Sequence, residues 1–138
     1  MKKILPFMMT IVFVFMSCNA KSPAQVSALL DRIGGEGTSK RIKTQVNASL
    51  SNDGKDVFEI SSKKGKPFIQ GSSLSALTSG IGWYLNHYAH VNLSWNNLTT
   101  DLSDVQLPVP EVVERRECSA DYRYYLNYCT YSYSMAFW

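Results

Sequence analysis

The amino-acid sequence predicts an α+β fold, a small α/β domain in which helices pack on a mostly antiparallel sheet. Three observations support it: an amphipathic helical pattern early in the chain, runs of alternating apolar residues separated by Gly-containing turns, and a long apolar helical stripe after them. The chain has 138 residues, of which 45% are hydrophobic and 18% charged, as is typical of globular proteins. This length allows one small domain and excludes a second complete one.

Residues 1–18 predict an export signal rather than a fold element. Lys2 and Lys3 precede an apolar run, residues 4–16, which is too short to span a bilayer. The run leads to Cys18 in a Phe-Met-Ser-Cys sequence that resembles a bacterial lipobox, in which the cysteine is diacylated. Ordinary signal cleavage nearby is the alternative. With residues 19–23 as a polar tether, we expect an exported, membrane-anchored lipoprotein that faces the periplasm or the cell surface.

The net charge argues against nucleic acid as a partner. It is +3 for the whole chain and includes Lys2 and Lys3. Without them the balance is 12 basic against 11 acidic residues, or +1. So small a positive charge gives no electrostatic basis for binding a nucleic acid.

The first helix is predicted after the tether. Apolar residues recur at helical spacing, Ser22 is a plausible N-cap with Pro23 at the first helical position, and Gly34-Gly35 gives a stop signal. The apolar residues of this pattern are Val26, Leu29, Leu30 and Ile33. We expect a helix of about eleven residues, a usual length for globular proteins.

Three strands are predicted between residues 41 and 70. The first runs from Arg41 to Leu50, and Asn52-Asp53-Gly54 supplies the turn residues that favour a hairpin. The second strand contains Val57, Phe58 and Ile60, a basic turn spans residues 63–66, and residues 67–70 form the third. We therefore expect a meander of three strands.

A second, longer helix follows residues 71–73, which supply its cap. Its apolar positions are spaced by three and four residues and fall on one face; they are Leu74, Leu77, Ile81, Tyr84, Leu85 and Tyr88. Gly80 and Gly82 lower helix propensity, so we expect them to allow a close approach of helix and sheet. Residues 91–95 predict a short strand, residues 96–104 a polar loop, and residues 107–110 an extended linker, because prolines disfavour helix in the residues before them.

The end of the chain is rich in tyrosine. Six of the eight tyrosines lie in residues 122–138. Aromatic rings stack on the C–H faces of sugars while hydroxyl and amide groups bind sugar hydroxyls, so the pattern is consistent with the wall of a sugar site. An aromatic β-core explains the same composition equally well.

A resemblance to family 89 glycoside hydrolases, the alpha-N-acetylglucosaminidases, favours the sugar site. The tail residues that carry it are Arg123-Tyr124-Tyr125, Asn127, Cys129-Thr130, Ser132-Tyr133-Ser134 and Trp138. They resemble the signature that opens the catalytic barrel of this family. Residues 66–72 and 80–85 are similar to the family's N-terminal α/β domain, which also precedes other sugar-hydrolase barrels. The two regions together cover nearly all of the chain that follows the export signal.

The resemblance implies a division of the chain at about residue 110. Residues 24–110 are then the N-terminal domain, and residues 111–138 begin a truncated (β/α)8 barrel with its first strand. Asn127, Cys129 and Tyr133 are expected to line a pocket for a glycan with terminal N-acetylglucosamine. The alternative is that Asn127 only satisfies a barrel-strand turn and that Cys129 is a small, buried hydrophobic residue.

The resemblance also implies that this chain lacks the catalytic residues. Retaining glycosidases use two carboxyl groups about 5–5.5 Å apart, and the family's two glutamates lie on later barrel strands. The acids nearest the tail, such as Glu114 and Glu117, are interpreted as part of a solvated connector. We therefore expect an inactive accessory domain, with no catalytic residue and no cofactor. The alternative is a stand-alone surface lipoprotein that acts as a carbohydrate-binding or protein-interaction module.

Two further patterns are weak. An oxidising compartment permits a disulfide between Cys118 and Cys129, but nothing in the sequence requires it. His87 and His90 lie three residues apart near the end of the second helix, and a metal site needs further ligands. We expect no metal.

Overall fold

The computed structural model describes residues 22–94, 97 and 99–120. Four strands form a single sheet in the order β1-β3-β2-β4, and α3 lies on one face of it. The elements in chain order are α1 (Ala24–Gly34), α2 (Thr38–Arg41), β1 (Lys43–Val46), a 3-10 turn (Ala48–Leu50), β2 (Val57–Lys63), β3 (Lys66–Gly71), α3 (Leu74–His87) and β4 (Glu114–Glu117). The predicted class, a small domain of helices and one sheet, is confirmed, and the sheet is mixed.

Helix α1 has the predicted length of eleven residues, but the predicted cap is wrong. The helix begins at Ala24, Pro23 occupies the N-cap position, and no side chain caps it. Ser22 instead donates a hydrogen bond from Oγ to the backbone carbonyl of Thr44, at 3.1 Å. This contact ties the start of the described chain to β1. Val26 and Leu30 are the apolar α1 residues that are buried in the core.

The predicted meander is wrong, because β1 pairs with β3 in parallel and does not pair with β2. Asn47 ends β1 early: its N–H donates to the carbonyl of Gly71 at 2.8 Å, and its side chain accepts from Ser49 N. Residues 48–50 then form a 3-10 turn in place of the predicted strand end. Asp53 and Gly54 do form a turn, with φ of 50° and 74°, but it closes only the isolated bridge from Asn52 to Lys55.

The hairpin between β2 and β3 is confirmed. Lys64 and Gly65 make the turn with positive φ, 54° and 69°, as a two-residue connection between twisted strands requires. The strands pair antiparallel from Lys63 opposite Lys66 to Phe58 opposite Gly71. Two of the three strand pairings in the sheet are therefore antiparallel and one is parallel.

Helix α3 begins as predicted, since Ser73 Oγ accepts a hydrogen bond from the N–H of Ala76 at 3.1 Å. Gly80 sits close to the sheet: a Cβ at this position would lie 3.0 Å from Ile69 Cγ2 and 3.1 Å from Phe58 Cβ. The same expectation for Gly82 is wrong, because nothing lies within 4 Å of its side-chain position. The tightest approach is at Gly71, where a Cβ would stand 2.2 Å from the backbone N of Leu77.

The strand predicted at residues 91–95 is wrong as far as the described residues reach. Val91 N donates to the carbonyl of Leu85 at 2.7 Å, so the chain closes the end of α3 instead of joining the sheet. Ser94 and Asn97 form only an isolated bridge. Further along, Leu102 is fully buried in the core. The backbone carbonyls of Leu102 and Val105 accept hydrogen bonds from the Arg41 guanidinium. The polar loop thus contributes to the core.

The segment 107–110 has no regular secondary structure, but it packs on the domain. Tyr84, which is fully buried, donates from its hydroxyl to the carbonyl of Pro108 at 2.7 Å. Burial raises the pKa of the Tyr84 hydroxyl well above its usual value, so the group remains a donor. Pro110 is buried as well. This segment is a fixed strap across the core and not a free linker.

Residues 114–117, interpreted from the sequence as part of a solvated connector, form strand β4. Three of the four are solvent-exposed, as that interpretation expects, but the segment is a strand of the sheet and not a connector. The four residues pair antiparallel with β2, with Glu114 opposite Ile60 and Glu117 opposite Val57. The sequence Glu-Arg-Arg-Glu lacks the alternation that predicts a strand because β4 lies at the edge of the sheet. The predicted boundary at residue 110 stays a prediction, and the predicted barrel strand lies outside the described residues.

Substitution of Gly71 tests the close approach of α3. We expect Gly71→Ala to lower the free energy of unfolding by about 3 kcal/mol, because the new methyl group meets backbone and not a mobile side chain. Gly82→Ala is the matched control. It adds the same atom to an exposed helix position with open space around it, and should raise stability by up to about 1 kcal/mol. Urea unfolding of the full chain measures both, and equal effects would contradict the packing described.

Candidate functional site

The residues predicted to contact a sugar, Asn127, Cys129 and Tyr133, lie outside the described residues, as does the predicted lipid attachment residue Cys18. The structure therefore neither brings them together nor separates them. The structure does describe how β4, the strand that precedes Asn127 in the chain, is held in place. Strand β4 ends at Glu117, ten residues before Asn127, and its position is set by a cluster of side chains between β4 and α3.

Glu114 is the centre of this cluster, which we call the Glu114 cluster and define by Trp83, His87, Tyr88, Glu114 and Arg116. Trp83 donates from Nε1 to Oε1 of Glu114 at 3.1 Å, and Tyr88 donates from its hydroxyl to Oε2 at 2.7 Å. Arg116 donates from Nε to Oε1 at 2.8 Å. The Glu114 carboxylate thus links Trp83 and Tyr88, near the end of α3, to strand β4.

The register of the sheet explains why these side chains meet. Glu114 is opposite Ile60, and Ile60 is opposite Ile69, whose side chain lies beneath Gly80. Residues opposite each other in a ladder point to the same face, so Glu114 faces α3. Arg116, two residues later, points the same way.

Trp83 makes the aromatic contacts of the cluster. The Arg116 guanidinium lies 4.3 Å from the centre of the Trp83 ring, a cation–π contact. The His87 ring stacks on Trp83 with centroids 3.7 Å apart and an angle of 11°. Nδ1 of His87 is also 3.1 Å from the carbonyl oxygen of Trp83. His87, considered above as a weak metal ligand, is thus engaged with its own helix.

The ionisation of the cluster follows from these contacts. Partial burial disfavours the charged form of Glu114, but the hydrogen bonds from Tyr88, Arg116 and Trp83 together with the charge of Arg116 outweigh it. The pKa of the Glu114 carboxyl is therefore lowered. The pKa of Tyr88 is raised, first by its hydrogen bond to Glu114 and then by burial and by the charge of Glu114. At neutral pH the tyrosine is the donor and the glutamate the acceptor.

This arrangement is suited to structure and not to acid–base catalysis. A general acid needs a raised pKa, whereas Glu114 is held ionised. Glu59, the nearest carboxylate in the register, is on the other face of the sheet and forms an ion pair with Arg115 at 2.8 Å. In the part of the chain that the structure describes, no group of three His, Cys, Asp or Glu side chains could hold a metal ion.

Cys118 lies directly after β4, at the edge of a small cavity. Its N–H donates to the carbonyl of Asp56 at 2.8 Å, and its thiol contacts the carbonyl of Ala120 at 3.6 Å. The cavity measures 230 Å³ and is lined by Asp56, Phe58, Ala76, Ser79, Glu117 and Cys118. Pockets for small molecules usually measure about 300–1,000 Å³, so this one is too small to hold a disaccharide by itself. The structure does not test a disulfide between Cys118 and Cys129, because Cys129 lies outside the described residues.

None of the helices within residues 22–94 and 99–120 has the length and apolar character needed to cross a membrane. The longest, α3, has 14 residues, and a transmembrane helix needs about 20. This finding does not bear on the lipid anchor predicted at Cys18, because that residue lies outside these ranges.

The fold and the Glu114 cluster define a small mixed α/β domain whose last described strand is fixed on its longest helix. The family model of the alpha-N-acetylglucosaminidase N-terminal domain matches residues 24–109, more than half of the chain. The chain belongs to this family. The match ends one residue before the predicted boundary at residue 110.

Comparison with known proteins agrees with this assignment. Human alpha-N-acetylglucosaminidase is 29% identical over an alignment of 125 residues that covers 86% of this chain and 16% of the human protein. A family 89 glycoside hydrolase from Clostridium perfringens, in complex with PUGNAc, superimposes with a TM-score of 0.67 at 28% identity over 83% of this chain. The same organism provides a family 89 structure with its substrate GlcNAc-alpha-1,4-galactose, at a TM-score of 0.62 and 29% identity.

The chain spans only a small part of these relatives. It covers 16% of the human protein and 13% of each of the two Clostridium perfringens chains. Glu114 and Arg116 lie just past the matched range, which ends at residue 109, whereas Trp83, His87 and Tyr88 lie within it. No periodicity in the sequence links Glu114 to Trp83, since 31 residues separate them.

The lowered pKa of Glu114 predicts a pH dependence of stability. A carboxyl whose pKa is lowered by folding stabilises the protein at pH values above the ordinary pKa of the group, which is 4.5 for Glu114. This contribution is lost as the pH falls through the pKa of the folded state. We expect Glu114→Gln to lower the free energy of unfolding by about 1 kcal/mol at pH 7, since the cluster is partly solvent-exposed. The difference from wild type should shrink below pH 4.5. Denaturant unfolding at several pH values measures this, and Glu111→Gln, an exposed position nearby, is the control.

Proposed function

We propose that this chain is the N-terminal accessory domain of an exported alpha-N-acetylglucosaminidase, an enzyme that removes terminal alpha-linked N-acetylglucosamine from glycans. The observation that carries the proposal is the match of residues 24–109 to the family's N-terminal domain. It is supported by a family 89 structure that holds GlcNAc-alpha-1,4-galactose as its substrate and superimposes on this chain. The natural glycan of this protein is then one that ends in N-acetylglucosamine.

Within this function the described domain supports the barrel and does not carry out the reaction. Glu114 and Glu59 are each paired with an arginine at 2.8 Å, and the register places them on opposite faces of the sheet. Two carboxylates on opposite faces do not form the pair that a retaining glycosidase uses. The role that fits the described contacts is mechanical, because the Glu114 cluster fixes the direction in which the chain leaves the domain after Glu117.

The contact with sugar is assigned to the tyrosine-rich tail. Asn127 supplies an amide for sugar hydroxyls, Tyr133 a ring and a hydroxyl, and Cys129 a small side chain beside them. These roles follow from the resemblance of the tail to the start of the family's barrel. A terminal N-acetylglucosamine needs further walls to be largely buried, and a pocket that buries little of its ligand binds weakly.

The 138-residue chain should therefore be inactive as a hydrolase. We expect no release of nitrophenol from an aryl alpha-N-acetylglucosaminide above the uncatalysed rate, and no saturable binding of N-acetylglucosamine by calorimetry. A complete family 89 enzyme serves as the positive control. Turnover or millimolar binding that is lost in Asn127→Ala would contradict the accessory role. Binding without turnover would favour instead a self-sufficient carbohydrate-binding lipoprotein.

Export and anchoring are proposed from residues 1–18. The basic start, the short apolar run and the lipobox-like residues that end at Cys18 support diacylation of this cysteine and a location on the outer side of the inner membrane. Two acyl chains give stable attachment, because each buried methylene adds roughly 0.8 kcal/mol.

Metabolic labelling tests the anchor. In a bacterial host, the full chain should incorporate labelled palmitate and stay with the membrane fraction after a high-salt wash. Cys18→Ala should abolish the incorporation, whereas Cys118→Ala, which removes a cysteine elsewhere, should leave it unchanged. Labelling that survives in Cys18→Ala would show that another residue carries the lipid or that the lipobox assignment is wrong.

A further inference from the structure

Beyond the proposed function, we propose that a lysine-lined groove beside β1 binds the phosphate groups of anionic lipids at the membrane surface. The groove has a volume of 610 Å³ and is separate from the Glu114 cluster. Five of its ten lining residues are lysines: Lys40, Lys43, Lys63, Lys64 and Lys66. Ser22, Ser27, Ser39, Thr44 and Phe68 complete the lining.

The lysines come from two parts of the fold that the sheet brings together. Lys40 and Lys43 lie where α2 ends and β1 begins, and the other three lie on the hairpin between β2 and β3. Two of them are held in place: Lys66 Nζ donates to the carbonyl of Lys40 at 2.9 Å, and Lys63 Nζ lies 4.7 Å from the centre of the Phe68 ring. The parallel pairing of β1 with β3 is what creates the groove, since a meander would place β1 elsewhere.

The positive charge of the groove is not neutralised by neighbouring acids. No carboxylate lines it. Asp31 contacts one lining residue: its carboxylate accepts hydrogen bonds from the N–H and Oγ of Ser39, both at 2.8 Å. These hydrogen bonds lower the pKa of Asp31, so it contributes one negative charge against five positive ones. Among the described residues, none of the five lysines forms an ion pair.

The position of Ser22, at the start of the described chain, favours a membrane surface as the partner. Ser22 lines the groove and is fixed to β1 through its hydrogen bond to Thr44. Cys18 is four residues earlier, and four extended residues span at most roughly 14 Å. A lipid at Cys18 therefore keeps the groove close to the bilayer, near the distance of about 8 Å over which surface charge acts at physiological ionic strength. Basic residues so placed bind anionic headgroups.

This inference rests on the proposed anchor at Cys18, but the groove can be tested without it. The full chain is made by cell-free synthesis, so that it is neither cleaved nor acylated and every variant keeps the same apolar leader. Its partition is measured on vesicles of phosphatidylcholine alone and of phosphatidylcholine with an equal amount of phosphatidylglycerol. The ratio of the two partition coefficients reports the electrostatic preference.

We expect Lys43→Gln with Lys63→Gln to lower this ratio about 30-fold, since each lysine near an anionic surface is worth about fivefold in binding. The matched control is Arg32→Gln with Lys55→Gln, which removes the same charge from two residues that do not line the groove. The control should keep most of the preference. Circular dichroism confirms that both variants are folded.

Three results would overturn the proposal. The first is an equal loss in the groove variant and in the control. The second is a preference for anionic vesicles that millimolar inorganic phosphate abolishes, which would indicate a site for a soluble phosphate compound. The third is groove-dependent binding to soluble dextran sulfate that is tighter than binding to vesicles, which would indicate an acidic polysaccharide. A failed palmitate test with a positive vesicle test would reject the anchor and not the groove.

Discussion

The structure depends on how closely α3 approaches the sheet. Two glycines set this distance: at Gly71 a Cβ would stand 2.2 Å from the backbone of Leu77, and at Gly80 it would stand 3.0 Å from Ile69. Protein interiors are packed too densely to absorb an added atom against backbone. This approach lets Tyr84 reach the carbonyl of Pro108 and places the end of α3 beside β4. The strap at residues 107–110 and the Glu114 cluster both follow from it.

The elements that the sequence predicts correctly are the local ones. Helix α1, helix α3 with its Ser73 cap and the β2–β3 hairpin each depend on residues close together in the chain. The errors concern pairings between distant segments. The parallel contact of β1 with β3 joins residues 43–46 to residues 68–71, and β4 joins β2 across more than fifty residues. Hydrophobic periodicity carries no information on which strands become neighbours.

The same distinction applies to the candidate site. The tail residues are recognisable because their spacing resembles one family's pattern, and that pattern is local. The Glu114 cluster has no such signature, because Trp83 and Tyr88 are on α3 while Glu114 and Arg116 are on an edge strand. The lysines of the groove are visible in the sequence as a basic turn, but their meeting with Lys40 and Lys43 requires the parallel pairing.

The all-charged sequence of β4 has a consequence for self-association. The outer side of an edge strand presents backbone groups on which a strand from another molecule can form, and charged side chains oppose this. On β4, Glu114 and Arg116 are turned toward α3, whereas Arg115 and Glu117 lie on the opposite face. Both faces of β4, beside the edge that no other described strand pairs with, therefore carry ions that an incoming strand would have to desolvate. The tyrosine-rich stretch of the sequence begins five residues after β4, at Tyr122, and the charges on β4 oppose fibre formation by strand addition at this edge.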